Sequence, residues 1–139
     1  MIISREKVLI MNKKEYLSKL DELNLDKDKF CIIGGGVLLL HGLKETTNDI
    51  YIQILPDYFK ILKTRFKFKK SNKYPNLYEL NDYIEVCLRD FSSKDIDIVD
   101  GYPVETLEKE LEWKKTNNRE KDKEDIIKIS EYIKHKITN

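Results

Sequence analysis

Apolar and polar residues recur along this chain with two different periods, and the changes of period predict the order of its elements. The first helical pattern begins after Asn12 and Glu15, a pair that is typical of a helix start. Its apolar positions recur at helical spacing: Tyr16, Leu17, Leu20 and Leu23. We expect this helix to run to about Leu25.

The next pattern is a short apolar run, Phe30–Ile33, that ends in three consecutive glycines. Such a run is typical of a buried strand that breaks into a turn, and Val37–Leu40 then predicts a buried helix that ends near Gly42. The residues Asp49–Ile54 alternate, which predicts a strand with its isoleucines on one face. The side chains of the opposite face are Asp49, Tyr51 and Gln53.

The middle of the chain predicts a third helix and three further strands. Pro56 is a favourable first helical residue for a segment that carries Phe59 and Leu62. Alternating patterns then predict these strands and a hairpin at Asn81-Asp82: Phe66–Lys70, Leu77–Leu80 and Tyr83–Leu88. In the last of them Tyr83, Glu85 and Cys87 share one face.

The last part of the chain predicts one strand, Asp95–Val99, and two helices. Pro103 is interpreted as the entry to the first helix, and Ile126–Ile137 lies within the second. The inward positions of these helices are Val104, Leu107, Leu111, Ile126, Ile129, Ile133 and Ile137. Asp95 and Asp97 share a strand face, which we interpret as solvated. The order of elements predicts an α/β fold with C-terminal helices.

Composition limits the class of protein. A chain of 139 residues with 40% hydrophobic content can bury one core, so residues 1–139 are expected to form a single domain. The net charge of +1 gives no general attraction for polyanions. Cys31 and Cys87 lie in apolar runs and favour buried thiols in a reducing compartment. The sequence lacks the roughly 20 apolar residues of a membrane span and a signal-peptide pattern, so we expect a cytoplasmic protein without a membrane partner.

The glycine run and the strand after it contain the residues most suited to binding a phosphate and a metal ion. A glycine turn lets backbone N–H groups approach phosphate oxygens, and the helix that follows adds the positive end of its dipole. A strand that returns from this helix brings Asp49 back toward the turn, where a carboxylate could hold a magnesium ion bridged to phosphates. Three glycines in a row also mark tight turns and close packing. The order and spacing favour the first interpretation.

These motifs resemble the polymerase-beta type nucleotidyltransferase superfamily, in particular its small bacterial members of the abortive-infection and toxin-antitoxin types. Gly34 and Gly35 match the family's double glycine, Thr47 its threonine, and Asp49 the first of its two aspartates. Glu85 falls where the family has a third carboxylate. The resemblance extends from Phe30 to about Ile133. It implies a mixed sheet flanked by helices, a nucleoside triphosphate and Mg²⁺.

The resemblance also implies roles for single residues. Asp49 and Glu85 would be the catalytic and metal-binding carboxylates, and Gly34 and Gly35 would bind the nucleotide. Further triphosphate ligands would come from the C-terminal part of the chain: Lys114, Arg119 and Lys121. The alternative for the basic residues is an ordinary exposed helix start, and for Glu85 an ordinary strand residue.

Tyr51 departs from the family pattern, because it stands where the second aspartate would be. A phenol is neutral at pH 7, and magnesium prefers carboxylate oxygens. We therefore expect a degenerate site that binds nucleotide weakly and holds one metal ion at most. The alternatives are an active Mg²⁺-dependent nucleotidyltransferase that modifies RNA, protein or a small hydroxyl compound, and a non-catalytic module with a protein partner in a toxin-antitoxin pair.

The segment Phe59–Tyr74 mixes basic and aromatic residues and contains no acid. Its basic residues are Lys60, Lys63, Arg65, Lys67, Lys69, Lys70 and Lys73. Such interleaving could grip a phosphate backbone and stack bases, which makes RNA a candidate partner through Lys60–Lys73. Lysines also protect exposed edge strands from aggregation, which explains the same pattern without RNA.

Overall fold

The computed structural model describes residues 9–138, with side chains to residue 136, and this part of the chain forms helices and the strands of one sheet. The helices are α1 (Lys13–Asp21), α2 (Gly35–Leu40), α3 (Pro56–Leu62), α4 (Leu107–Asn117) and α5 (Lys123–Thr138). The strands are β1 (Phe30–Ile33), β2 (Ile50–Ile54), β3 (Lys69–Lys70), β4 (Leu77–Glu79), β5 (Ile84–Leu88), β6 (Ile96–Val99) and β7 (Tyr102–Glu105). The fold is mixed α/β, as the patterns predict.

The seven strands form one mixed sheet in the order β3-β4-β5-β2-β1-β7-β6. β1 and β2 are antiparallel neighbours, whereas β2 is parallel to β5 and β1 is parallel to β7. The pairs β3–β4, β4–β5 and β6–β7 are antiparallel. Gly34 follows β1, Asp49 precedes β2 and Glu85 lies in β5, so three adjacent central strands position them, although Glu85 follows Gly34 by 51 residues.

The core lies on the isoleucine face of β2. Ile50, Ile52 and Ile54 are at most 1% exposed, and they belong to one cluster with Val37–Leu40 of α2 and Tyr16 of α1. Full burial of an isoleucine stabilises the fold by about 1.5–3 kcal/mol, so this register is strongly preferred over one shifted by a single residue. The same register turns the intervening side chains of β2 away from this core.

The start of α1 is the predicted capping box. The side chain of Asn12 accepts a hydrogen bond from the Glu15 N–H at 2.8 Å, and the Asn12 N–H donates to the Glu15 carboxylate at 3.0 Å. The helix ends at Asp21, four residues before the predicted end. Asn24 has a positive φ of 49°, which the right-handed helix excludes.

The predicted helix entry at Pro103 is wrong, because Tyr102–Glu105 is strand β7. Asp100 and Gly101 both have positive φ and form a two-residue turn between β6 and β7, and Pro103 pairs with Ile98. α4 begins only after Thr106, whose side chain accepts a hydrogen bond from the Lys109 N–H. Val104 is fully buried as predicted, but in the sheet.

Three smaller predictions change. Within the predicted strand Phe66–Lys70, only Lys69–Lys70 forms a strand. Asp95 belongs to a short 3-10 helix before β6, so Asp95 does not share a strand face with Asp97. In α5 Ile129 is buried, whereas Ile126 and Ile133 are half-buried; Ile137 lies outside the described side chains. Cys31 and Cys87 are free thiols. No helix in the described residues is long and apolar enough to cross a membrane.

Candidate functional site

The glycine run begins with a backbone conformation that only glycine adopts easily. Gly34 follows β1 with φ 67° and ψ −141°, and it is the residue before the first turn of α2. A side chain at this position would also meet the ring of Tyr51, whose Cδ2 lies 3.3 Å from the place of a Cβ. Gly34 thus joins the strand to the helix and gives room to Tyr51.

Gly35 and Gly36 are required by packing. A Cβ on Gly35 would lie 2.6 Å from the hydroxyl oxygen of Thr47. A Cβ on Gly36 would overlap both the Tyr16 hydroxyl and the side chain of Ile32. Close packing therefore accounts for these two glycines without a ligand, and it places Thr47 directly against the glycine turn.

Asp49 stands at the entrance to β2, on the face opposite the core. The N–H of Ile50 donates a hydrogen bond to the carbonyl oxygen of Tyr83 at 2.7 Å, which holds the start of β2 against the start of β5. Because side chains alternate along a strand, Asp49 shares its face with Tyr51. The Asp49 side chain is exposed, and its charge is near enough to raise the pKa of Glu85.

Glu85 lies on β5 directly beside Tyr51, its partner in the parallel register. Burial raises the pKa of Glu85, Asp49 and Glu79 raise it further, and Lys73 acts in the opposite direction. One carboxylate oxygen of Glu85, Oε2, is buried and has no hydrogen-bond partner. The structure thus brings the two predicted carboxylates to neighbouring strands on one face of the sheet.

Glu79 is a third carboxylate on this face that sequence reasoning missed. It lies on β4 and pairs across the antiparallel ladder with Glu85. Residues directly opposite in such a ladder point to the same face. The hairpin pattern contained this information, because the register of β4 against β5 follows from the position of the turn.

Tyr51 is half-buried over Gly34. Burial raises the pKa of its phenol above the usual value, and Cys87 and Glu85 raise it further. The side chain is therefore neutral near pH 7, and position 51 contributes no charge to the carboxylate face.

A cleft of about 930 Å³ opens beside Asp49. One wall is Gly35 with the loop that leads to β2, and the other wall comes from the end of α4 and the beginning of α5. Five basic side chains line it: Lys44, Lys114, Arg119, Lys121 and Lys128. Four acidic side chains line it as well: Glu45, Asp49, Asp122 and Asp125. Of the predicted site residues, Gly34 and Glu85 do not line this cleft.

Lys114 is the centre of a buried ion cluster. Its ammonium group donates a hydrogen bond to Asp122 Oδ1 at 3.0 Å and lies 3.4 Å from Asp125 Oδ2 and 3.6 Å from Glu110 Oε1. Burial alone would lower the pKa of Lys114, but these carboxylates outweigh it and raise the pKa. All four residues are at most 7% exposed, so Lys114 is held by the protein itself.

The other cations of the cleft differ in how far they are engaged. Arg119 donates from Nε to Asp122 Oδ2 at 2.6 Å, and its guanidinium lies 4.7 Å from the ring centre of Trp113. Lys44 lies 3.0 Å from Asp125. Lys121 is exposed and has no ion pair within the described residues. Sequence reasoning missed Lys44 and Lys128, which no motif distinguishes from other surface lysines.

A second pair of carboxyl groups lies beneath the glycine turn. Glu105 of β7 and Glu110 of α4 are joined by a hydrogen bond, and the backbone of Gly34 also bonds to Glu110. Burial and the charge of Glu110 raise the pKa of Glu105 to about 8. With Tyr51 these groups line a small cavity of about 70 Å³. No sequence motif pointed to this pair.

A divalent cation would find few ligands here. Within residues 9–138 no three histidine, cysteine or carboxylate side chains are arranged to hold a metal ion. Within this part of the chain, two carboxylates of this face have an oxygen without a protein partner that could bind a cation: Asp49 is exposed, and Oε2 of Glu85 has no hydrogen-bond partner.

The basic segment presents its cations and its aromatic rings differently. Its seven basic side chains are all exposed. Phe59 is 4% exposed and packs against Phe68 and Tyr78 at ring-centre distances of 4.8 and 4.7 Å. The expectation that these phenylalanines stack on bases is therefore wrong for Phe59. Tyr74, 56% exposed, is available instead.

The chain has no significant match among protein-family models, curated proteins or solved structures.

Proposed function

We propose that this chain is a nucleotidyltransferase-fold protein that binds a nucleoside triphosphate with one magnesium ion in the cleft beside Asp49. The supporting observation is the composition of that cleft. It unites Asp49 with Lys114, Arg119 and Lys121, which follow it by 65 residues or more. The resemblance to the superfamily requires this convergence, which no local feature of the sequence imposes.

The charges of the cleft suggest a division of roles. Lys121 has no ion pair in the described chain and is the cation most free to meet a phosphate oxygen. Arg119 keeps guanidinium N–H groups beyond the Nε that bonds Asp122, whereas Lys114 is enclosed by three carboxylates. Lys114 therefore shapes the wall of the cleft, and Lys121 and Arg119 contact the triphosphate.

Asp49 and Glu85 would hold the magnesium ion. When bound, the ion neutralises phosphate charge and stabilises the charge that develops during transfer. Asp49 lies at the edge of the cleft and Glu85 one strand further on the same face, so the ion would join the triphosphate to the sheet. With a neutral Tyr51 between them, binding is weak and transfer is slow or absent.

The experiment measures binding and transfer separately. Isothermal titration of ATP and GTP with Mg²⁺ should give weak binding that Asp49→Asn abolishes, whereas Asp57→Asn, an exposed aspartate on α3, should leave it unchanged. Tyr51→Asp should tighten binding of both metal and nucleotide, because it adds the missing charge. Equal binding by the wild type and Asp49→Asn would contradict the proposal.

An active enzyme is the second candidate, favoured by the adjacency of Asp49 and Glu85 on one face. It predicts transfer of label from an α-labelled triphosphate to RNA, protein or a small hydroxyl compound in Mg²⁺ or Mn²⁺. Loss of that transfer in Asp49→Asn would establish the enzyme and replace the degenerate site. Binding without transfer to any acceptor would retain the first proposal.

A further inference from the structure

The basic segment Phe59–Tyr74 lies beside the carboxylate face. It holds seven of the chain's 26 basic residues and none of its 25 acidic ones, so a net charge of +1 conceals a strongly basic patch. Within the described residues Lys67, Lys69 and Lys70 have no ion pair, and Lys60 is paired only with the fully exposed Asp57 at 3.7 Å. These cations are free to bind an external anion.

Lys69 faces the same side of the sheet as Glu85, and Lys73 lies near Glu85. Lys69 pairs with Glu79 across the β3–β4 ladder, and Glu79 pairs with Glu85 across the next. Residues that oppose each other in this way share a face. Lys73 is close enough to Glu85 to oppose the rise of its pKa. The basic strip defined by Lys67, Lys69 and Lys73 therefore ends at the carboxylates.

The exposed ring of Tyr74 lies at the same end of the strip. Tyr74 is 56% exposed and near enough to act on the pKa of Tyr51. An exposed aromatic ring next to lysines can stack on an unpaired base while the lysines contact phosphates. In a duplex the bases are paired and stacked on each other, so the ring finds no base to stack on. Single-stranded nucleic acid meets both features.

An anionic membrane fits the strip less well. Glu79 and Glu85 share the face of Lys69, so a wide, flat, negatively charged surface laid over the lysines would also meet these carboxylates. A narrow chain of phosphates can follow the lysines and stop at the acidic edge. The acidic edge then marks where a nucleic acid ends.

From this arrangement we infer that the basic strip Lys67, Lys69 and Lys73, with Tyr74, binds single-stranded nucleic acid and directs its end toward Glu85. The cleft is lined by Asp49 but not by Glu85 or any residue of the strip, so a nucleotide and a strand end would reach the carboxylates by separate routes. The role of the strand as the acceptor rests on the proposed function. Binding to the strip does not, because it involves neither Asp49 nor the cleft.

The test is fluorescence anisotropy with a short labelled oligouridine, without nucleotide or metal. We expect salt-sensitive binding, because each phosphate contact to a single strand contributes about −0.7 to the slope of log K against log salt. Three contacts would weaken binding about 20-fold for a fourfold rise in salt. In the triple variant Lys67→Gln, Lys69→Gln, Lys73→Gln most of the slope of log K against log salt should be lost.

The matched control removes three other exposed lysines, as Lys14→Gln, Lys29→Gln and Lys115→Gln. It has the same net charge as the strip variant, and it should keep the wild-type slope. Tyr74→Ala should weaken binding and Tyr74→Phe should restore it, since a phenyl ring still stacks. Thermal unfolding of every variant should match the wild type.

Several results would overturn the inference: no salt-sensitive binding, equal losses in both triple variants, tighter binding to a duplex, or binding to phosphatidylserine vesicles without binding to oligouridine. The outcome is separable from that of the proposed function. If oligouridine binds through the strip while ATP and Mg²⁺ do not bind, the nucleic-acid-binding surface is supported and its role as an acceptor site is contradicted.

Discussion

The hydrogen-bonded pair of Glu105 and Glu110 should make the stability of this protein depend on pH in a range where most carboxylates do not titrate. Burial and the neighbouring charge raise the pKa of Glu105 from 4.5 to about 8, so the folded protein keeps a proton that the unfolded chain releases. Lys109 and Arg89 also face this group, and both act to lower its pKa. Replacing Glu105 by glutamine keeps a neutral side chain there at every pH.

The sign follows from proton binding. Between pH 4.5 and about 8 the folded state binds more protons than the unfolded state, so the free energy of unfolding falls as pH rises. Each tenfold change in proton affinity corresponds to about 1.4 kcal/mol, which sets an upper limit on the order of 5 kcal/mol. Relaxation of the paired carboxyl groups reduces this, and we expect a loss of about 2–3 kcal/mol.

The assay is urea unfolding of the wild type and Glu105→Gln at intervals from pH 5 to pH 8.5. The difference in unfolding free energy between the two should change by about 2–3 kcal/mol in favour of glutamine as pH rises, because only the wild type must lose a proton. Glu108→Gln, an exposed glutamate on α4, is the control and should show no such change. Parallel curves for the wild type and Glu105→Gln would refute the reasoning.

Two other substitutions test the packing beneath the site. Gly36→Ala should lower the free energy of unfolding by about 1–3 kcal/mol, because the added methyl group overlaps the Tyr16 hydroxyl and Ile32. Tyr16→Phe removes that hydroxyl, which is buried and has no hydrogen-bond partner. Chemical denaturation of the double variant should therefore show a smaller loss than that of Gly36→Ala alone. Lys114→Met should cost about 3–5 kcal/mol by thermal or chemical unfolding, because it removes the cation shared by three buried carboxylates and leaves Asp122 and Asp125 with only Arg119 and Lys44. Lys115→Met, at the exposed neighbouring position, should change stability by less than about 0.5 kcal/mol.

The one element that sequence reasoning assigned wrongly had a readable local signal. Asp100-Gly101 separates Ile96–Val99 from Tyr102–Glu105, and an Asp-Gly pair between two apolar runs is a strong hairpin signal. The proline within the second run argued for a helix entry instead. Proline is tolerated in β7 because the sheet register, and not the local preference of one residue, decides which backbone groups must pair.

Some features of the candidate site could be predicted from the local sequence, and others depend on tertiary packing. The alternation of β5 predicts the face of Glu85 from the sequence, and that of β2 predicts the face of Asp49, which directly precedes this strand. The pairing of these two strands could not be predicted, because residues between them include a helix and two other strands. The resemblance implied a phosphate as the partner of Lys114, whereas its three carboxylate partners depend on how α4 packs against α5.

By itself the sequence determined the periodicities of this protein: which side chains of each strand face the core, where α1 begins, and which position lacks an acid. These properties depend on neighbours a few residues apart, and short-range geometry decides them. Only the tertiary structure decided that Asp49 lines a cleft with cations from the far end of the chain, that Lys114 is enclosed by carboxylates, and that the pKa of Glu105 is raised. Those properties depend on burial and on charges brought together by packing, which no stretch of sequence contains.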